Sequence, residues 1–146
     1  MHSEILKPVV VLIAWTLVMF VWMIAVRLPA MKAAGIDITK LRGGKGSDAD
    51  GVLPAKAQWK AHNYNHLLEQ PTCFYAVSFV IAFTGNGDGI NAWIAWAYVA
   101  LRIVHSLWQA TVNKVSIRFT LFVFATLCLI ALTLHAAIAV FGWHHG

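Results

Sequence analysis

Charge is scarce in this chain. Of its 146 residues only 12% are Asp, Glu, Lys or Arg, about half the share usual in a soluble domain, while 60% are hydrophobic. That balance excludes an ordinary water-soluble domain and points to a membrane protein. Cysteine is scarcer still. Cys73 and Cys128 both sit inside apolar stretches without CxxC spacing, so a disulfide framework or a zinc knuckle finds no support and buried free thiols remain. Aspartate is missing from every long apolar run, which leaves Ser78 and Ser106 without a Ser-His-Asp constellation. Only one carboxylate, Glu69, falls within a predicted span, whereas a di-iron or di-manganese centre needs several. Gly43, Gly44 and Gly46 form no phosphate-binding motif in a strand-loop-helix context. The basic residues of the same region are interleaved with Asp37, Asp48 and Asp50 and lack stacking aromatics, so nucleic acid is not an expected partner.

What the chain does have is long apolar runs. Pro8 to Val26 carries no charge and is long enough, at about 1.5 Å per residue, to cross a hydrocarbon core of about 30 Å. Arg27 follows it directly and no small-x-small cleavage site appears, so it reads as a transmembrane helix and not a signal peptide. The run Thr72 to Phe83 is too short to span, so its helix must begin upstream near Leu53 or Pro54 and draw the polar stretch HNYNHLLEQP, His62 to Pro71, into the bundle. Pro71 should kink that helix, which is expected to run on without a break. Spans at about 8–31, 54–84, 89–112 and 115–142 predict an all-α, up-down four-helix membrane domain covering residues 1–146. Lys32, Lys40, Arg42, Lys45, Lys56 and Lys60 lie between the first span and the polar stretch, and the linker Gly85 to Gly89 has no Lys or Arg. The positive-inside bias then puts the first connection in the cytoplasm and both termini outside it.

Polar side chains at membrane depth cost about 2.5–3.5 kcal/mol each when charged, and they mark sites by default. Here they are Arg27 on helix one; His62, Asn65, His66 and Glu69 on helix two; Arg102, His105 and Gln109 on helix three; and Arg118 on helix four. The helix-three residues recur at i, i+3 or i+4 and i+7, with Ser106 an alternative to His105, and the helix-two set repeats the spacing. Two polar faces imply one shared site. Three arginines against one carboxylate favour an anion. His62, His66 and Glu69 have the spacing of a divalent-metal site, but the arginines would repel the cation. Interhelical hydrogen bonding without catalysis, or a proton path through His62, His66, Glu69 and His105, are competing readings.

The stretches HNYNHLLEQPTCFY and ALRIVHSLWQATVNKVSIRF resemble the membrane-associated proteins in eicosanoid and glutathione metabolism, the MAPEG superfamily, and in particular its bacterial branch. The resemblance covers nearly the whole chain. It rests on Arg27 after a long first span, Glu69 before a proline, Arg-x-x-His at Arg102 and His105, and Arg118 opening helix four. It implies a homotrimer in the bacterial inner membrane, with glutathione as cosubstrate between neighbouring subunits near the cytoplasmic face. Transferase or peroxidase activity on a lipophilic electrophile or hydroperoxide would follow. By that resemblance Arg27 and Arg102 hold carboxylates, Glu69 holds the ammonium, Asn65, His66 and His105 belong to the same binding site, and Arg118 stabilises the thiolate. The chain departs from glutathione-binding members at two places: they carry Arg-Asn where it has Asn65 and His66, and often a tyrosine where it has Gln109. A non-catalytic trimer of the same fold, or a binder of another small anion, is the alternative.

Overall fold

The computed structural model describes residues 3–40, 43 and 52–142. Among them are α1 (Leu6–Ala33), α2 (Ala55–Leu67), α3 (Gln70–Phe83), α4 (Ile90–Thr111) and α5 (Val115–Phe141), with a 3-10 turn at Ile38–Lys40 and no strand. Three of them, α1, α4 and α5, are long and apolar enough to cross a membrane. With α2 and α3 as the two halves of the second helix, the chain is an all-α integral membrane four-helix bundle in up-down order. The glycine- and lysine-rich first connection lies largely outside the described residues.

The second helix begins at Ala55, straight after Pro54, as its length requires, but it does not run unbroken to Pro71. It breaks at Leu68 and Glu69, where Glu69 takes φ −92° and ψ −95°. The amides of Leu68 and Glu69 bond back three residues, to the carbonyls of Asn65 and His66, which tightens and ends the turn. Pro71 then sits in the first turn of α3, where a residue without an N–H costs no hydrogen bond. The expected kink is thus a full interruption. A proline ring that would crowd the carbonyl four residues back is relieved more cheaply by restarting the helix than by bending it.

The core is built on the inward stripes of all four spans: Leu12 and Met19 of α1, Phe74 and Ile81 of α3, Tyr98 and Val99 of α4, and Ala125 and Leu132 of α5. Phe74 stacks on Tyr98 with ring centroids 4.4 Å apart. The Tyr98 hydroxyl donates to Gln70 Oε1 at 3.2 Å, and Gln70 Nε2 donates to Thr126 Oγ1 at 2.9 Å, so the start of α3 is tied to α4 and α5 beside the break. At the far end, Asn91 donates to the Asn86 carbonyl and accepts from His135 Nδ1, so the membrane histidine of α5 is a packing residue with a partner. There too the Ile5 amide donates to the Gly87 carbonyl, so the start of α1 and the α3–α4 turn lie at one end of the bundle. The outward faces of α1 and α5 stay apolar, with Val10, Leu17, Phe119, Leu127 and Leu134 exposed as hydrocarbon would require.

Candidate functional site

One face of α4 carries the polarity that the sequence placed in the membrane. Arg102, His105, Ser106 and Gln109 recur at helical spacing and are 0%, 2%, 0% and 6% exposed. They divide into two groups. Ser106 is structural: its Oγ accepts from Trp15 Nε1 at 2.9 Å and from Asn63 Nδ2 at 2.6 Å, joining α1, α2 and α4. Arg102 is different. Its Nη2 donates to His66 Nδ1 at 2.8 Å, while its Nε and Nη1 have no protein partner among the described residues. His105 Nδ1 and Gln109 Oε1 are likewise buried and unpartnered there. Native interiors leave few such groups, so the unused donors behind His66 set this part of α4 apart from ordinary packing.

Next to this cluster lies a cavity of about 190 Å³, lined by His66, His105, Val115, Arg118, Phe119 and Phe122. The His66 and His105 rings stack with centroids 5.1 Å apart and planes 21° off parallel. Phe122 meets His66 edge-on at 5.7 Å. Arg118 is aimed by the tight turn that enters α5. Asn113 adopts φ 53°, a left-handed conformation that asparagine tolerates better than most residues, and its Oδ1 accepts from Arg118 Nη1 at 2.7 Å. The turn is closed by the Asn113 amide on the Trp108 carbonyl at 2.7 Å and by Trp108 Nε1 on the Lys114 carbonyl at 3.2 Å. Imidazoles and a guanidinium therefore share a small cavity whose other walls are apolar. Among the described residues the lining holds no carboxylate, so an anion is the charge it can accept.

The profile of the MAPEG family matches residues 5–138, from the start of α1 to near the end of α5. The chain belongs to the MAPEG family. Members of this family are in general glutathione-associated membrane proteins, and membership supports a glutathione-related transferase, peroxidase or related membrane function in that general sense. No curated protein and no solved structure gives a significant match.

Among the residues expected at the site, this MAPEG chain brings Arg102, His66, His105 and Arg118 together. Glu69 is exposed at the helix break, near enough to act electrostatically on both Arg102 and His66. Asn65 and His62 are exposed on α2, and Arg27 is half-buried near the end of α1, outside the lining of the cavity. The metal-like spacing of His62, His66 and Glu69 does not become a cluster, because His66 turns its Nδ1 to Arg102, and no such group of three occurs among the described residues. A larger hollow of about 480 Å³ lies at the end of α1 between Leu28, Met31, Lys32 and Asp37. It lacks the convergent buried groups of the smaller cavity, which is where the chemistry concentrates. Sequence reasoning missed Asn63, Asn113 and Phe122. Asn113 carried a signal, a turn-forming residue between two long apolar helices, whereas Asn63 and Phe122 become visible only once α4 is packed against them.

Proposed function

We propose that this protein is a glutathione-dependent transferase or peroxidase of the membrane, acting as a homotrimer on a lipophilic electrophile or hydroperoxide. The supporting observation is the position of Arg118, held by Asn113 in a cavity that it shares with His66 and His105 and that has no carboxylate among its described lining residues. A thiol entering beside a fixed guanidinium loses its proton to solvent more readily, because the cation stabilises the thiolate. The thiolate then bonds to an electrophilic carbon of the substrate as a leaving group departs with its electron pair, or attacks the terminal oxygen of a hydroperoxide. In the second case the O–O bond breaks, the alkoxide takes a proton from solvent to leave as the alcohol, and the sulfur, oxidised to a sulfenic acid, is reduced by a second glutathione thiol to the disulfide and water. Val115, Phe119 and Phe122 give the substrate an apolar approach, and Phe119 is exposed on the lipid side of α5.

A cavity of 190 Å³ is smaller than the roughly 300–1,000 Å³ of ordinary small-molecule sites. It would take the central cysteinyl side chain of the tripeptide, leaving the two flanking residues outside against Glu69, Asn65 and a neighbouring protomer. Arg102 is closed to solvent, so its part is to hold His66 and raise the local positive potential, while the role of gripping a carboxylate falls to more open cations such as Arg27. The lysine-rich connection is assigned to the cytoplasmic side of a bacterial inner membrane. The same small volume favours one second reading, a binder of a smaller anion.

Glutathione titrated into the purified protein in detergent separates the two. The expected result is saturable growth of thiolate absorbance at a pH where free glutathione is mostly protonated. No thiolate signal, together with stabilisation by sulfate or another small anion, would support the second reading.

A further inference from the structure

The contact between Arg102 and His66 fixes more than a distance. A guanidinium has five N–H donors and no lone pair, so His66 Nδ1, at 2.8 Å from Arg102 Nη2, has to be the acceptor. An imidazole that accepts at Nδ1 carries its proton at Nε2. Protonating Nδ1 as well would set two donors face to face beside a positive charge. The ring is also held in plane, by the stack on His105 and by the edge of Phe122. His66 lines the cavity and turns its Nδ1 to Arg102, which does not, so Nε2 is the ring nitrogen left to serve a ligand there.

We propose that His66, locked by Arg102 as its Nε2–H tautomer, is a hydrogen-bond donor to an anionic sulfur in this cavity, acting from α2 while Arg118 acts from α5. The assignment rests on the glutathione reading for the identity of the sulfur, but the donor itself follows from the contact. The charged and titratable groups around the ring are Arg102, Glu69, Arg118 and His105. Two consequences follow. Two of the three polar groups that line the cavity, His66 from α2 and Arg118 from α5, donate, so an acceptor atom is favoured between them. And His66 is not a general base: its acceptor nitrogen is occupied by Arg102, so the thiol proton leaves to solvent.

Two substitutions separate the halves of the ring. In His66→Asn the side-chain oxygen can accept from Arg102 where Nδ1 stood, and nothing reaches the position of Nε2. In His66→Gln the amide reaches the Nε2 position and the acceptor for Arg102 is lost. With full-length protein in detergent, His66→Asn is expected to keep thermal stability near wild type while bound glutathione holds about tenfold less thiolate at fixed pH, its ionisation midpoint rising by about one unit. His66→Gln should recover most of the thiolate and melt at a lower temperature. Nitrogen-15 NMR of the ligand-free protein should show His66 with Nε2 protonated and Nδ1 bare. The proposal is overturned if His66→Asn ionises bound glutathione as well as the parent does, or if the ring carries its proton on Nδ1. A wild-type protein that does not bind glutathione defeats the glutathione reading instead. The donor assignment is then decided with thiocyanate, a small soft anion: about tenfold weaker binding in His66→Asn upholds it, and unchanged binding sinks it.

Discussion

Gly87 offers the cleanest test of the packing, since it asks nothing about ligands. It is buried in the α3–α4 turn under the first residues of the chain. A methyl group there would fall inside the van der Waals radius of Ser3 Oγ and lie 2.9 Å from Ile5 Cγ2. Ser3 and Ile5 are themselves buried, Ile5 completely, so neither side chain has room to swing away. Gly87→Ala must therefore lift residues 3–5 off the turn. Two bonds of 2.9 Å would go with them, the Ile5 amide to the Gly87 carbonyl and the Glu4 amide to Asp88 Oδ1, at about 0.5–1.5 kcal/mol each. Exposing Ile5 adds about 1.5–3 kcal/mol, so full release would cost between about 2.5 and 6 kcal/mol. Unfolding followed by far-ultraviolet circular dichroism in bicelles titrated with dodecyl sulfate measures it. Ser3→Gly in the Gly87→Ala background should restore part of the loss, because it removes the closest obstacle. A Gly87→Ala protein within about 0.5 kcal/mol of wild type, or no recovery in the double mutant, would refute the reasoning.

Ser106→Ala should cost about 1–3 kcal/mol in the same assay, because it strands the Trp15 and Asn63 donors on two other helices; wild-type stability would mean that the network contributes nothing. Arg118→Ala should lower turnover of a model electrophile about tenfold or more while glutathione affinity changes less, whereas Glu69→Ala should mainly weaken affinity; the opposite pattern would remove Arg118 from the thiolate. A reporter fused after Gly146 should read as non-cytoplasmic, and a cytoplasmic signal would reverse the orientation assigned from the lysine-rich connection.

The helical class was legible because length and hydropathy are properties of single segments. A run such as Pro8 to Val26 needs no partner to be recognised as a span. The polar face of α4 was legible for a related reason, since Arg102, His105, Ser106 and Gln109 keep one helical spacing whatever lies opposite. The second helix resisted because its outcome depends on competition. Pro71 can kink a helix or end one, and the choice falls to packing around Gln70, which reaches both Tyr98 and Thr126 across the break. The neighbouring face is divided for the same cause. Periodicity groups His62, Asn65 or His66, and Glu69 together, but α2 is wedged between α1 and α4, and that wedge buries Asn63 and Leu67, turns His66 to Arg102 and leaves His62, Asn65 and Glu69 exposed.

How fully each buried polar group is bonded finally separates structural glue from candidate site, a distinction that residue types alone do not make. At Ser106 one hydroxyl is shared by two donors, and only the Asn63 Oδ1 remains unused, which is the behaviour of a group retained to align helices. Arg102 spends one of its three nitrogens on an uncharged ring, and the other two, at zero exposure, have no partner among the described residues. As a packing device that is a poor solution, because an apolar side chain of similar size would avoid the desolvation altogether. On the anion-binding reading proposed above, a fixed positive potential behind His66, next to the cavity that Arg118 lines, gives the burial a purpose. The same reading accounts for the nearby carboxylate Glu69 at the surface: drawn inward to neutralise Arg102, it would cancel the field that an anionic ligand needs.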